Sequence, residues 1–188
     1  MIIALSINDA EEAERLLDFC FRLSGRIQSG SCLLIAPASL HEEFRIKVRL
    51  AAEVAFSHVD MTTAADNHFA AAASKVRDAY KEPWLFIESD CVPLRPDWID
   101  QLSNAYDAQP KKFMGAHVKD ADGKLFLARQ SVYAADFNPA LERLGASTKC
   151  RMVQHGAYTK REDIRPDAVL FCSDKAGELI KSLRSELK

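Results

Sequence analysis

Residues 83–102 read Pro-Trp-Leu-Phe-Ile-Glu-Ser-Asp-Cys-Val-Pro-Leu-Arg-Pro-Asp-Trp-Ile-Asp-Gln-Leu. The continuous apolar run from Trp84 to Ile87 predicts a strand that is buried on both faces. Glu88 and Asp90 follow directly, and their side chains point the same way if the backbone stays extended between them. Two converging carboxylates are typical of a site for a hard divalent cation, Mg²⁺ or Mn²⁺, whose other ligands are water and substrate phosphates.

The remainder of this stretch predicts a turn followed by a helix. Pro93 ends regular strand pairing, and Pro96 suits the first position of a helix. The apolar face of that helix recurs at helical spacing, at Trp98, Ile99, Leu102 and Tyr106. The whole arrangement, Glu-x-Asp after a buried strand with Val-Pro-Leu and Pro-Asp-Trp behind it, resembles the D-x-D element of GT-A-fold glycosyltransferases.

In that family the D-x-D element holds a divalent metal against the diphosphate of a nucleotide-sugar donor. The resemblance implies that Asp90 is a direct metal ligand and a catalytic residue, and that Glu88 is its partner near the donor ribose or the metal's waters. Glu88 departs from the commoner Asp at its position. A bare acid-x-acid triplet also occurs where a strand simply ends in two solvated acids, so the triplet alone does not decide between these interpretations.

Composition predicts one soluble domain spanning residues 1–188. Hydrophobic residues make up 48% of the chain, charged residues 28%, and the formal net charge is -2, so no broad basic field indicates nucleic-acid binding. The five cysteines are odd in number and include no C-x-x-C pair, which favours reduced thiols in a cytosolic compartment. The sequence shows no signal peptide and no bilayer-spanning apolar run, so a cytoplasmic location is expected.

The first part of the chain predicts alternating strands and helices: a strand over 1–7, a helix that begins after Asn8 and Asp9, a strand over 32–36, a helix over 41–50 and a strand over 53–59. In open α/β sheets, ligands bind outside the carboxyl ends of the strands. This rule brings five side chains to one rim as candidate nucleotide-sugar contacts: Ser6, Asn8, Asp60, Glu88 and Asp90. Asn8 and Asp9 also suit simple helix capping, and Asp60 also suits a turn.

A further helix is predicted from Asp66 onward, with Phe69, Ala72, Ala73, Val76 and Tyr80 on one face. GT-A enzymes commonly place such a helix directly before the D-x-D strand, with its first turn near the donor. The resemblance therefore adds Asn67 as a nucleotide-sugar-binding candidate. His68 is interpreted as a surface or capping residue, because a lone His near a helix start is more often that than a ligand.

The resemblance implies that the second half of the chain, residues 109–188, forms the acceptor side and that residues 1–108 form the nucleotide-sugar-binding half. Strands are predicted over 113–118, 125–128 and 131–134, with a hairpin turn at 120–123. The resemblance implies that this half supplies acceptor contacts and any catalytic base, and Asp136 is the candidate for that role. Asp120 and Asp122 are interpreted as turn formers beside Gly123.

The C-terminal segment, Cys172-Ser-Asp-Lys-Ala-Gly, is similar to a His-x-x-Lys-x-Gly pattern of small glycosyltransferases. The family's metal-binding His is Cys172 here, so Cys172 is the candidate third metal ligand, although thiolates are softer than Mg²⁺ or Mn²⁺ prefers. Asp174 or His155 could take its place. Lys175, near a helix start, is expected either to contact the donor diphosphate or to be a solvated lysine.

The resemblance implies metal-assisted transfer of a sugar from a UDP-sugar or similar donor to a hydroxyl, on a surface glycan or a modified base of phage DNA. Similar small transferases occur in bacteria and their phages, so the expected location is bacterial or phage-infected host cytosol. Two alternatives stay open: a nucleotidyltransferase, which would usually carry a Gly-rich basic loop after its first strand, and a non-catalytic nucleotide- or carbohydrate-binding relative. No P-loop or dinucleotide-binding glycine pattern is present.

Overall fold

The computed structural model describes residues 1–119, 121–138 and 147–187. In this part of the chain, helices cover both faces of a mixed, mostly parallel sheet, as predicted. The helices described are Ala10–Ser24 (α1), Glu42–Ala55 (α2), His68–Ala79 (α3), Trp98–Asp107 (α4) and Ala176–Glu186 (α5). The strands described are Ile2–Ser6 (β1), Ile27–Pro37 (β2), Phe56–Ala64 (β3), Trp84–Glu88 (β4), Cys91–Pro93 (β5), Phe113–Lys119 (β6), Leu125–Tyr133 (β7), Ser147–Lys149 (β8), Val153–His155 (β9) and Leu170–Cys172 (β10).

The larger sheet has the order β3-β2-β1-β4-β7-β6-β8 among the described residues. Its β3, β2, β1 and β4 strands are parallel, whereas β7 runs antiparallel to both β4 and β6. Parallel strands end at the same edge of a sheet, so Ser6 of β1 pairs with Ile35 on one side and with Glu88 on the other. The carboxyl ends of these strands form the rim predicted from the sequence.

Side chains alternate between the two faces of the central strands. The even-numbered residues of β1 and β4 pack in the core that includes Ala72, Ala73 and Val76 of α3: Ile2, Ala4, Trp84 and Phe86. The alanines let α3 lie close to the sheet. Ser6 and Glu88 continue the same alternation at the last position of each strand, so they face the side on which α3 begins.

A smaller sheet, with the order β5-β10-β9 in the described chain, follows directly after the acid pair. Cys91 of β5 lies opposite Cys172 of β10, and the two form a disulfide. This pairing corrects the expectation that all the cysteines are reduced thiols. The other cysteines, Cys20, Cys32 and Cys150, are free and buried.

Several predicted element boundaries were wrong. Helix α2 continues to Ala55 because its buried residues keep a helical period, and β3 therefore begins at Phe56 and ends at Ala64, four residues beyond Asp60. The two strands predicted over 125–134 are a single strand, β7. The predicted turn residue Asp120 lies outside the described residues.

None of the helices in the described part of the chain combines the length and the apolar character that crossing a bilayer requires.

Candidate active site

The predicted acid pair lies at the carboxyl end of β4. The strand ends at Glu88 and the chain turns at residues 89–90, so the backbone is not extended through Ser89. The carboxylates are nevertheless close enough to interact. Burial raises the pKa of Asp90 to about 6, and the negative charges of Glu88 and then Glu12 add to this effect. Ionising both members of the pair is therefore unfavourable unless a positive charge is nearby.

Glu88 is held by two amide side chains. Its Oε1 atom accepts a hydrogen bond from Asn8 Nδ2 at 3.1 Å, and its Oε2 atom accepts one from Gln130 Nε2 at 2.8 Å. Ser6, which is buried, places its Oγ atom 2.7 Å from His68 Nδ1 and donates to Asn8 Oδ1 at 3.4 Å. The structure thus brings together Ser6, Asn8 and Glu88, as the rim rule predicted.

His68 and Gln130 are members of this network that sequence reasoning did not select. His68 is half-buried rather than fully exposed: burial lowers its pKa, and the nearby charge of Glu88 partly opposes that effect. The sequence did contain a signal for His68, because it follows shortly after β3, which ends at this rim. Gln130 gave no such signal, because its place beside Glu88 depends on the antiparallel pairing of β7 with β4.

Two further helices begin beside the acid pair. Ser89 Oγ donates to Glu12 Oε2 in the first turn of α1 at 2.9 Å, and Ser173 N, just before α5, donates to the backbone oxygen of Asp90 at 2.9 Å. Helix N-termini present unpaired backbone N–H groups and a partial positive charge, which favour phosphate. Lys175 is the exposed N-cap residue of α5, so it lies close to this region, and its contact with a diphosphate stays a prediction.

Asn67 is the N-cap residue of α3, where its Oδ1 atom accepts a hydrogen bond from Ala70 N at 3.0 Å. Because His68 next to it contacts Ser6, Asn67 lies at the same rim. Its side chain is exposed, and a donor contact stays a prediction.

Asp60 is not part of the site, so that prediction was wrong. Its register partner is Leu33, so it lies within the edge strand β3 rather than at its end. Its Oδ2 atom accepts a hydrogen bond from the Tyr80 hydroxyl at 2.9 Å and forms an ion pair with Lys75 Nζ at 3.2 Å. Burial opposes ionisation, but bonds from the Met61 backbone, Tyr80 and Lys75 outweigh it and lower the pKa of Asp60. Asp60 therefore ties β3 to α3.

Asp136 is also wrongly predicted as an acceptor-side catalytic residue. It follows the end of β7, where Tyr133 pairs with Trp84 at the amino end of β4. Four residue steps of about 3.3 Å separate that end from Glu88, so Asp136 lies roughly 13 Å or more from the acid pair. Its side chain is 71% exposed and pairs with Lys112 at 3.4 Å.

The metal site predicted from Glu88, Asp90 and Cys172 is corrected at its third member. The sulfur of Cys172 is bonded to Cys91, so it offers no thiolate. Cys91 Sγ lies 3.2 Å from Asp90 Oδ1, a contact rather than a hydrogen bond because a disulfide sulfur carries no proton. Among the described residues, no group of three or more His, Cys, Asp or Glu side chains is arranged to hold a metal.

The alternatives Asp174 and His155 are therefore not assembled into a ligand group in the described chain either. The two carboxylates of Glu88 and Asp90 remain. Carboxylate oxygen is the donor type that Mg²⁺ and Mn²⁺ prefer, and substrate phosphates and water commonly complete the coordination of Mg²⁺. The mutual opposition of the two charges is also what a bound cation relieves. The pair thus fits a divalent cation that is shared with a phosphate ligand.

Comparison with known proteins identifies structural neighbours but no sequence relatives. No protein-family model matches the sequence, and no curated protein shows significant similarity to it. The crystal structure of S. aureus TarS residues 1–349 superposes with a TM-score of 0.53 at 9% identity, covering 99% of this chain and 64% of that one. A longer S. aureus TarS structure also gives 0.53 at 9% identity, covering 96% of this chain and 39% of its own.

A mannosyltransferase from Pyrobaculum calidifontis, PcManGT, solved in complex with GDP-Man and Mn²⁺, is more distant. Its TM-score is 0.46 at 17% identity, covering 63% of this chain and 35% of that one. The chain spans about 64% of the length of the shorter TarS structure. The two TarS structures show that the chain has the fold of GT-A-type glycosyltransferases, as the sequence pattern predicted.

Proposed function

We propose that this protein is a glycosyltransferase that moves a sugar from a nucleotide-diphosphate sugar to an acceptor hydroxyl with the help of Mn²⁺ or Mg²⁺. UDP is the expected nucleotide, and a glycan or a modified nucleobase is the expected acceptor. The observation that carries the proposal is the acid pair at the carboxyl rim of β4, with the first turns of α1 and α5 beside it. The GT-A-type fold agrees with this function.

The chain's own residues supply binding and orientation. Asn8 and Gln130 hold the carboxylate of Glu88, while Asp90 offers its oxygens from the turn. Glu88 and Asp90 would hold the cation, which when bound neutralises the charge that grows on the diphosphate as the sugar departs. The first turn of α5, with Lys175, can donate to the same phosphates. Stereochemistry at the anomeric carbon is not assigned.

The proposed function includes a bound cation because the rim is acidic. Glu12, Glu88 and Asp90 cluster at this rim, and a diphosphate would be repelled by them without a positive charge between. Tight binding of a nucleotide diphosphate should therefore depend on a divalent metal.

The test is release of UDP from UDP-glucose, UDP-galactose and UDP-N-acetylglucosamine, measured with Mn²⁺ or with EDTA. We expect metal-dependent release by the wild-type protein and by the control Asp136→Asn, whose carboxylate lies at the far end of the sheet. The rate of UDP release by Asp90→Asn should be lower by about 100-fold or more, the usual cost of removing a key electrostatic group. Equal release in EDTA, or unchanged release by Asp90→Asn, would contradict the proposal.

A binding-only relative is the second candidate, because no third protein ligand is found among the described residues. It predicts that UDP with Mn²⁺ raises the melting temperature while no UDP-sugar is turned over. A nucleotidyltransferase would instead release pyrophosphate from a nucleoside triphosphate and a sugar phosphate.

A further inference from the structure

A cavity of about 310 Å³ lies in the second half of the chain, apart from the rim that carries Glu88 and Asp90. Its walls come from β6, from Lys149 at the end of β8, from the segment that joins β8 to β9, from β9 and from Arg165. At about 30 Å³ for each water, it has room for about ten waters, or for a small polar group of similar size. This volume is at the lower end of the usual range for ligand sites.

The described lining is rich in cations. It includes Lys149, Arg151 and Arg165 together with two histidines, and no Asp or Glu is among the described lining residues. Asp167 pairs with both Arg151 at 3.0 Å and Arg165 at 3.5 Å, so a single carboxylate is shared by two guanidinium groups. A net positive charge remains, and an anion entering the cavity would be attracted to it.

Lys149 lies close to His117, the histidine of β6 that lines the cavity. Burial lowers the pKa of His117, and the charge of Lys149 lowers it further. His117 is held by Ser147, whose Oγ atom lies 2.9 Å from His117 Nε2. The positive charges are thus arranged around one opening rather than scattered over the surface.

Two buried polar atoms of the cavity wall have no hydrogen-bond partner among the described residues: Arg165 Nε and His155 Nε2. Arg165 Nε has only the 3.5 Å ion-pair contact with Asp167, which is longer than a good hydrogen bond. Buried polar groups in proteins are nearly always paired, so these two atoms are available to a partner that enters the cavity.

The cavity is connected to the candidate active site through Gln130. The ring of His155 lies beside the backbone of Gln130, whose side-chain amide donates to Glu88. His155 also pairs in register with Cys172, which lies opposite Cys91 next to Asp90. The cavity is thus linked to the acid pair through Gln130, on the side formed by the second half of the chain.

We propose that this cavity binds an anionic group of the acceptor, a phosphate or a carboxylate, through Lys149, Arg151 and Arg165. The inference rests on the proposed function, because it assigns the anion to the acceptor rather than to the donor. It restricts the acceptor to a negatively charged class, such as a phosphorylated or acidic glycan.

The test follows the imidazole NMR signals of the full-length protein while inorganic phosphate is added at constant ionic strength. We expect saturable shifts of His117 and His155, with no shift of His68 at the donor rim. Lys149→Ala combined with Arg151→Ala should weaken phosphate binding about tenfold, because two charge-assisted contacts are lost. Both side chains are exposed, so this variant should fold; the matched control is Lys47→Ala on α2, which should bind phosphate as the wild type does.

A variant of opposite sign strengthens the test. Asp167→Asn frees both arginines from their shared carboxylate, so it should tighten phosphate binding several-fold. Saturable binding that the double variant weakens and Asp167→Asn strengthens would support the proposal. Shifts that do not saturate, or an affinity that is the same in all variants, would overturn it.

A second titration distinguishes the donor's diphosphate from the acceptor's anion. UDP with Mg²⁺, which is diamagnetic, should shift His68 and leave phosphate bound in the cavity. If UDP displaces the phosphate, the cavity belongs to the donor and the proposal is wrong. If UDP does not bind while phosphate still does, the proposed function fails, and with it the assignment to an acceptor. UDP binding without phosphate binding would remove the cavity proposal alone.

Discussion

Replacing Asp90 by Asn should stabilise the metal-free protein at alkaline pH. The pKa of Asp90 is raised to about 6 from the ordinary 3.8, chiefly by burial and then by the charge of Glu88. The folded protein therefore holds this proton more tightly than the unfolded chain does. The contribution of Asp90 to the free energy of unfolding is fully present below pH 3.8 and is lost as the pH rises through about 6. The loss is about 3 kcal/mol, since each tenfold change in proton affinity is worth about 1.4 kcal/mol.

The assay is urea unfolding in EDTA at pH 4 and pH 8, with Asp136→Asn as the exposed control. Asn cannot ionise, so the free energy of unfolding of Asp90→Asn should exceed that of the wild type by up to about 3 kcal/mol at pH 8 and by little at pH 4. Glu88→Gln, which removes the neighbouring charge, should give a smaller gain. An Asp90→Asn protein that is equally or less stable than wild type at pH 8 would refute the electrostatic description of the site.

Three other perturbations have defined outcomes. The disulfide between Cys91 and Cys172 closes a separation of 81 residues, so Cys172→Ser should cost about 4 kcal/mol and make urea unfolding insensitive to dithiothreitol. Gly115→Ala places a Cβ atom 1.7 Å from Ser131 Oγ, so it should destabilise by about 2 kcal/mol or more, with partial rescue by Ser131→Gly in the same assay. His68→Ala should weaken UDP binding several-fold in calorimetry, because it removes the partner of a buried hydroxyl at the end of β1; unchanged affinity would exclude the residue from the donor site.

The parts of the site that could be predicted depend on local sequence patterns. The apolar run before Glu88 gave the buried strand, and period-two alternation gave the faces of β1 and β4. Capping chemistry gave the start of α1, where Asp9 Oδ1 accepts a hydrogen bond from Glu12 N at 2.9 Å. The rule that parallel strands end together then brought Ser6 and Asn8 to Glu88 without any knowledge of long-range contacts.

The parts that could not be predicted depend on pairings between distant segments. Asp136 resembled a candidate base until the antiparallel register of β7 placed it at the opposite end of the sheet, and the same register brought Gln130 to Glu88. Cys172 resembled a metal ligand because its disulfide partner is 81 residues away and no spacing pattern links them. Hydrophobic periodicity carries no record of such partners.

The measurement that tests the central claim most directly is calorimetric titration of UDP into the protein, with Mn²⁺ and with EDTA. If Glu88 and Asp90 hold a cation against the diphosphate, UDP should bind with Mn²⁺, bind at least about tenfold more weakly in EDTA, and lose the metal dependence in Asp90→Asn. The same UDP affinity in all of these conditions would contradict the account.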